Sequence, residues 1–406
     1  MVQPSWQKNL YAIVVAEFIV LTGFSFVNPF MPLFIQDLGR FTDREAAFWA
    51  GIASGASGIA MFFSAPLWGM VADRWGRKPM VLRAMFGGAL VTALTGIAPN
   101  IPVLIALRFA HGVLSGTIAA ASALVAGVTP RNKMPFAMGL ITLAMFSGQT
   151  FGPLLGGVLA DSIGYQASFF VTGSILLSGG LVVLFLVREK FERPQQRQGT
   201  SLGSLLRLAM SRDILPLLLV LGTLHLGPQL ISPILPLYIR EQNPQVEAAA
   251  TAGLAFSLMG VVAAVSGLVA GRLGQHVNLK RMLMFSCIGT GLLYLPPIWS
   301  GTTAQLVIFM ATTGLLKGGL MVSSNALIGL SVPMSQQGVA FGMAQSANSL
   351  GGGLGPILGG TLTRAMGFKP VFGVAGGLFI LVGALSIKLL AGRRRAEEPT
   401  REISPQ

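Results

Sequence analysis

Gly148-Gln149-Thr150-Phe151-Gly152-Pro153-Leu154-Leu155-Gly156-Gly157 returns 203 residues later as Gly351-Gly352-Gly353-Leu354-Gly355-Pro356-Ile357-Leu358-Gly359-Gly360. Both copies read G-x-x-x-G-P-x-x-G-G, and both lie inside long apolar segments. Glycines four apart fall on one face of a helix and admit a second backbone at close range. The proline removes one backbone donor and permits a bend, which a membrane helix tolerates when neighbours cover the gap. Two matched copies imply two matched halves.

The composition places those halves in lipid. Hydrophobic residues make up 52% of the 406 and charged residues 10%, against about 25% charge in a soluble globular chain. The mean hydropathy is +0.70. Apolar windows at or above the roughly 18 residues of a spanning helix recur throughout. They predict twelve spans at 10–36, 48–70, 79–98, 102–127, 135–160, 167–187, 214–239, 249–271, 282–299, 304–331, 338–362 and 370–391. The expected fold class is therefore an all-α membrane protein of two pseudo-symmetric six-helix bundles. The halves run over 1–187 and 214–392, with a polar cytoplasmic linker at 188–213 and a cytoplasmic tail at 393–406. An amphipathic stretch is expected near 202–210 within the linker.

A net charge of +14 raises the question of nucleic acid, and its placement answers it. With both termini cytoplasmic, the outer loops hold only Arg40, Arg44, Arg240, Arg364 and Lys369. Arg108 and Lys317 fall within spans. The remaining 21 of the 28 Lys and Arg, Arg83 among them, fall in cytoplasmic segments. That asymmetry follows the positive-inside rule, so the charge is topological and nucleic acid is not an expected partner. The single cysteine, Cys287, excludes an internal disulfide and a cysteine metal cluster. The first apolar run is too long for a signal core and contains Glu17 and two prolines, so it is read as the first span.

Other stretches repeat at nearly the same offset. Asn28-Pro29-Phe30-Met31-Pro32 in span one matches Ser232-Pro233-Ile234-Leu235-Pro236 in span seven. The loop Gly69-Met70-Val71-Ala72-Asp73-Arg74-Trp75-Gly76-Arg77-Lys78-Pro79 is matched by Gly271 to Arg281, with Gln275 and His276 in place of Asp73 and Arg74. Spans four and ten share Ala123 to Pro130 against Ala326 to Pro333. Parallel repeats of six helices are related by an axis along the membrane normal, with a substrate site between them near the midplane.

These residues carry a resemblance. The Gly69–Pro79 loop resembles the G-x-x-x-D-R-x-G-R-K signature between helices two and three of the major facilitator superfamily. The Gly148–Gly157 stretch is similar to the helix-five motif of its drug:proton antiporters, and Ile105 to Gly116 resembles their helix-four motif. The likeness covers essentially the whole chain and is closest to twelve-helix bacterial multidrug efflux proteins. It implies that Gly69, Asp73, Arg74, Gly76, Arg77 and Lys78 form a gating loop that latches the halves when the protein opens outward. It implies that Gly148, Gly152, Pro153, Gly156 and Gly157 shape the antiporter's closed state. Gly351, Gly355, Pro356, Gly359 and Gly360 are then the equivalent packing face of helix eleven. It further implies that Arg108 takes part in proton transfer, with His111 standing where the family has glutamine.

Apart from the resemblance, Gly69 is expected to permit close helix packing and Gly76 a tight turn. The ionisable residues inside the spans are Glu17, Arg108, His111, His225 and Lys317, all on spans one, four, seven and ten. Such groups cost roughly 2.5–3.5 kcal/mol on insertion scales, so they usually face a cavity or each other. In the superfamily those four helices line the central cavity. Glu17 is the acid placed well inside a span, where a lone carboxyl can take up and release a proton; the alternative is that it neutralises Arg108 or Lys317. Glu17, Phe24 and Asn28 share a helical face, as do Arg108 and His111. His225, Gln229 and Ser232 form a stripe on span seven, and Lys317, Met321 and Ser324 one on span ten. The expected proton-coupling residues are Glu17, Arg108 and His111. The expected cavity residues are Phe24, Asn28, His225, Gln229, Lys317, Ser324 and Asn325. Phe30, Phe34, Phe62, Phe63, Met145 and Phe146 are candidates for an adaptable apolar pocket.

The reading this supports is a secondary active exporter that exchanges hydrophobic small molecules, drugs among them, for protons by alternating access. The expected partners are a small-molecule substrate, protons and membrane lipid, and the expected driving force is the proton gradient, without a cofactor. The expected setting is the bacterial cytoplasmic membrane, and twelve helices suffice for a monomer. The alternative is a dedicated exporter of one metabolite class, a sugar, peptide or organic anion, to which Lys317 and the histidines are better suited. No catalytic residue, metal-ligand spacing or nucleotide-binding loop supports an enzyme.

Overall fold

The computed structural model describes residues 6–130, 133–189, 210, 214–274, 276–331 and 337–391, and its regular elements are all helical. In chain order they are α1 (Trp6–Phe26), α2 (Met31–Gly39), α3 (Asp43–Trp75), α4 (Arg77–Thr95), α5 (Ile101–Leu114), α6 (Thr117–Val128), α7 (Met134–Ile163) and α8 (Tyr165–Leu186). The second half holds α9 (Leu215–Ile231), α10 (Leu235–Gln242), α11 (Ala248–Leu273), α12 (Leu279–Leu293), α13 (Thr303–Thr312), α14 (Gly314–Ser331), α15 (Gln337–Met366) and α16 (Lys369–Ala391). Together they make the twelve spans of an all-α membrane protein in two pseudo-symmetric six-helix bundles. Nine described stretches are long and apolar enough to cross a membrane on their own. Span three falls short because α4 carries Arg77, Lys78 and Arg83, span four because its α5 is only 14 residues long, and span eleven because α15 is rich in Gly, Ser, Gln and Asn. The predicted amphipathic stretch, most of the linker and the tail lie outside the described residues, as does the side chain of Asp73.

The structure corrects the expectation of unbroken spans. Spans one, four, seven and ten each divide into two helices, α1/α2, α5/α6, α9/α10 and α13/α14. In the first and third of these, Pro29 and Pro233 occupy the break, where a missing N–H and a fixed φ end one helix and start the next. In span four Gly116 adopts φ 108°, a left-handed value that favours glycine. The carbonyls freed there are met from neighbouring helices, as lipid requires. Trp68 Nε1 donates to Val113 O at 2.7 Å and Arg83 Nη2 to Ser115 O at 3.1 Å. The Arg83 guanidinium lies 3.8 Å over the Trp68 ring. Arg83 therefore braces a helix break, and its assignment to a topogenic loop is corrected.

The first half packs α1 against α7 and α8, and the second packs α9 against α15 and α16 in the corresponding way. Two antiparallel pairs join the halves, α3 with α15 and α7 with α11. Their close contacts lie toward the end opposite the termini, the distal end. A Cβ at Gly51 would sit 2.2 Å from Pro356 O and one at Gly360 2.4 Å from Ala47 O. One at Gly157 would sit 2.2 Å from Ala249 O and one at Gly253 2.2 Å from Pro153 O.

The same helix faces are bare nearer the termini. Continuing the α7 stripe by helical steps from Gly157, Pro153 and Thr150 reaches Phe146 and Leu143, both exposed, and Gly139, with no neighbour within 4 Å. On α11 it reaches exposed Leu268 and then open Gly271, and on α3 it reaches open Gly69. Gly69 is thus not a close-packing position here. The buried core follows the same geometry. Its larger cluster joins Ala46, Ala50 and Phe30 to Ala249, Leu230 and Leu235 across the halves, while a smaller one around Ile13, Met85 and Leu176 stays within the first half. The bundle is closed distally and splayed toward the termini.

Candidate functional site

The duplicated glycine motif meets two partners at once. Gly148, Gly152 and Gly156 lie against the α1 backbone: added Cβ atoms would sit 2.9 Å from Phe18 O, 2.5 Å from Thr22 O and 2.2 Å from Phe26 O. Pro153 and Gly157, one step round the helix, face α11 of the other half. The second copy repeats this division. Gly351, Gly355 and Gly359 lie on Gly222, Leu226–Gln229 and Leu230 of α9, whereas Pro356 and Gly360 face α3. Each motif therefore holds its helix to its own half on one side and to the opposite half on the other.

Glu17 is fully buried on α1 (0% exposed) and meets α6 just past the Gly116 break. Thr117 Oγ1 donates to its Oε2 at 3.4 Å, and its Oε1 has no hydrogen-bond partner. It forms no ion pair with Arg108 or Lys317, so the alternative of structural neutralisation is corrected. Phe24, further along α1, also faces span four, its ring edge-on to His111 at 5.1 Å and its rim against Gly88. That places Phe24 within the first bundle. Asn28, in the break of span one, is exposed.

Arg108 and His111 both turn toward α4. Arg108 Nη2 donates to Thr95 Oγ1 at 2.9 Å, and its Nε is buried without a partner. His111 Nδ1 lies 3.3 Å from Thr92 Oγ1. The structure thus sets Arg108 and His111 against α4 and Glu17 against Thr117, on the other side of the Gly116 break in span four.

In the second half, the buried Nδ1 of His225 on α9 has no hydrogen-bond partner among the described residues, and Lys317 lies on α14. Lys317, Gln229 and Asn325 are each partly exposed. Gln229 packs its Cβ against Gly355. Ser324 is fully buried, its hydroxyl donating to Leu320 O at 2.7 Å, which corrects its place on a cavity face. Phe30 and Phe34 are buried against Phe169, which corrects their candidacy for an open pocket.

The loop between spans two and three turns at Gly76, φ 97°. The backbone N–H groups of Arg77 and Lys78 donate to the Glu189 carboxylate at 2.8–3.0 Å, so the second residue of the linker caps the start of α4. Lys78 Nζ donates to Leu184 O and Val187 O, at 2.8 and 2.6 Å, and the Arg77 guanidinium to Ala123 O. Burial pulls Lys78 below the ordinary lysine range, against the opposing pull of Glu189. These cations bind the carbonyl ends of helices in their own half, and Arg74 is exposed.

The sequence reading missed the polar groups of the distal seam. Asp161 Oδ2 accepts from Ala250 N at 2.7 Å, capping α11 from the opposite half. Asp43 pairs with Arg240 at 3.5 Å and accepts from Gln36 Nε2 at 2.7 Å. Arg364, 203 residues after Asp161, lies 4.8 Å over the Phe48 ring near the start of α3. Arg240 and Arg364 were read as outer-loop charges, and Asp43 and Asp161 were not singled out.

A sequence profile for the Major Facilitator Superfamily matches residues 13–247 and 217–405. The chain belongs to that superfamily. It is 32% identical over 392 residues to Multidrug resistance protein MdtG of Escherichia coli (strain SMS-3-5 / SECEC), covering 96% of each chain. Among solved structures it resembles a mutant form of the nucleoside transporter NupG (13% identity, TM-score 0.80, 94% of this chain and 99% of that one). It also resembles the human organic anion transporter MFSD10 (19%, TM-score 0.64, 95% and 100%). As a superfamily member the chain is a multi-pass membrane protein that transports small molecules, and its split spans one, four, seven and ten carry Glu17, Arg108, His111, His225 and Lys317.

Proposed function

We propose that the chain is a secondary active exporter that exchanges hydrophobic small molecules for protons by alternating access, in keeping with the name of its MdtG relatives. The observation that carries this reading is the matched pair of helix faces, packed backbone to backbone distally and bare toward the termini. Rocking the two bundles about the glycine motifs would open the distal end and bring the bare stripes together, carrying a midplane site from one side to the other. The charge asymmetry supports cytoplasmic termini in a bacterial cytoplasmic membrane, so the form described here faces inward. The bundles at 1–187 and 214–392, the linker at 188–213 and the tail at 393–406 are the moving parts and their connections. One chain supplies both bundles, and we assign a monomer.

Proton coupling is assigned to Glu17. Among the described residues it has one hydroxyl partner and no ion pair, a setting that suits a carboxyl group carrying its proton. Thr117 begins the helix after the Gly116 break, so loss of the proton would be felt at a hinge of span four. Arg108 and His111, the latter with the Phe24 ring edge-on to it, add to the polar interior of the same bundle. The driving force is the proton gradient, and no cofactor is assigned. In the outward-open form the signature loop would exchange its present partners for contacts across the halves.

Energised everted vesicles containing the protein test the reading. Accumulation of lipophilic dyes that a protonophore abolishes, and that Glu17→Gln removes while the protein stays folded, is the expected outcome. Equal transport by Glu17→Gln would move the proton site elsewhere. Failure of a broad dye panel would favour the second reading, a dedicated exporter, which Lys317 specifically supports.

A further inference from the structure

We infer that Trp68 and Arg83 are positioning residues for proton exchange: they fix the span-four break that meets Glu17 to α3, the helix that carries a contact with the opposite half. The inference rests on the proton-coupling reading of Glu17 and adds to it the route by which a proton acts on the seam.

The first ground is the break itself. Ser115 is extended and Gly116 left-handed, so α5 ends and α6 begins without a continuous helical ladder. Thr117, the first residue of α6, is the hydrogen-bond partner of Glu17 among the described residues. A free break would let Thr117 follow Glu17 while the rest of the bundle stayed still. This break is held. Trp68 Nε1 donates to Val113 O at 2.7 Å and Arg83 Nη2 to Ser115 O at 3.1 Å, with the guanidinium 3.8 Å over the indole ring. The two donors form one stacked unit, and the carbonyls they hold lie four and two residues before Thr117.

The second ground is a stripe on α3. Ser57, Ser64 and Trp68 recur at steps of seven and four, which is one helical face. All three donate to span four: Ser57 Oγ to Arg108 O at 2.6 Å, Ser64 Oγ to Gly112 O at 3.4 Å, and Trp68 to Val113 O. An added Cβ at Gly112 would sit 2.1 Å from Ser57 O, so α5 lies on the α3 backbone there. The third ground is the adjoining face of the same helix. Added Cβ atoms at Gly51, Gly55 and Gly58 would sit 2.2, 2.6 and 2.5 Å from Pro356 O, Gly353 O and Gly353 Cα of α15. Ser57 and Gly58 are consecutive, and one touches span four while the other touches the opposite half.

Loss of the Glu17 proton leaves a buried carboxylate with a single hydroxyl donor, which is costly. Relief requires α6 to shift, and Trp68 and Arg83 pass that shift to α3, a rigid element packed backbone to backbone on the seam. Of the helices packed on α1, α6 carries no titratable residue, and α7 and α8 carry Asp161 and Tyr165 at the distal end. On α1 itself Lys8 and Tyr11 lie toward its start. α4 and α5, which meet α1 at Phe24, carry Arg77, Lys78, Arg83, Arg108 and His111, and none of these is ion-paired with Glu17 among the described residues.

The test uses full-length protein in lipid nanodiscs with spin labels at Arg40 and Gln245, and records their distance from about pH 5 to about pH 9. A proton on Glu17 suits the distally closed form, so the longer distance should grow as pH rises, and Glu17→Gln should remove that dependence. Arg83→Met and Trp68→Phe should each shrink the pH-driven change in population at least about threefold. Arg83→Lys, which keeps a charged donor, should restore more than half of it. Phe372→Leu, in the core of the second half, lowers stability without touching the break and should leave the response whole. Thermal unfolding verifies each fold, and if Trp68→Phe does not fold, Arg83→Met decides alone. An undiminished response in Arg83→Met and Trp68→Phe, or an equal loss in Phe372→Leu, would overturn the inference and leave Glu17 its role. A distance that ignores pH in the unsubstituted protein, or a response that survives Glu17→Gln, would instead remove the proton reading and the inference with it.

Discussion

The carboxylate of Asp161 accepts a 2.7 Å hydrogen bond from the backbone N–H of Ala250, and the two residues belong to opposite halves of the chain. A side chain at the end of α7 thereby caps the beginning of α11, where unpaired N–H groups and the helix dipole favour negative charge. Such a cap is worth about 0.5–2 kcal/mol. It exists only while the distal end is closed.

Asp161→Ala is accordingly expected to shift the population toward the distally open form by that amount. Spin labels at Arg40 and Gln245, exposed positions on either side of the distal seam, would report it as growth of the longer distance. An unchanged distance distribution would show that the apolar contacts alone hold the seam.

Gly157 and Gly139 lie on one stripe of α7 and should answer the same substitution in opposite senses. An added Cβ at Gly157 meets the Ala249 carbonyl oxygen at 2.2 Å, a contact with backbone that cannot turn aside. Gly157→Ala should lower thermal stability by about 1–3 kcal/mol as an overpacked site. Gly139 has open space, and Gly139→Ala should gain roughly 0.5–1 kcal/mol from helix propensity. Detergent unfolding curves of the two variants decide the matter.

Glu189→Ala removes the acceptor for two N–H groups at the start of α4 and one of the charges next to Lys78. A loss of about 0.5–2 kcal/mol is expected, together with faster proteolytic cleavage between residues 188 and 213. Cleavage at the unaltered rate would mean that Lys78 and Arg77 hold the junction through the carbonyls they already reach.

Trp68→Phe keeps the ring beneath Arg83 and deletes the donor to Val113 O. The break in span four should lose about 0.5–1.5 kcal/mol, read as a lower unfolding temperature. Trp68→Leu should cost more, since it removes the cation–ring contact as well.

Much of the architecture was legible because it rests on local rules. Hydropathy marked the twelve spans, charge asymmetry supported their direction, and G-x-x-x-G-P-x-x-G-G in duplicate announced two halves. The same rules misplaced side chains whose partners are remote. Helical spacing put Ser324 with Lys317, yet Ser324 turns inward to its own helix carbonyl. Spacing also grouped Glu17 with Asn28, although one is sealed against Thr117 and the other is exposed. Arg83 was counted as a loop charge because the sequence does not reveal that Trp68 lies beneath it.

By itself, the sequence determined what lipid imposes on any chain: apolar length, the confinement of charge to ends, loops and a few depths, and a repeated small-residue face for close packing. Those are properties of a residue and its near neighbours along one helix. Only the tertiary structure decided where the two halves touch. The contacts between Asp161 and Ala250, Gly157 and Ala249, and Gly51 and Pro356 depend on the angle between two rigid bundles, and the same helix faces would pair differently at another angle. Which end is closed is therefore a property of packing between halves, and no single segment encodes it.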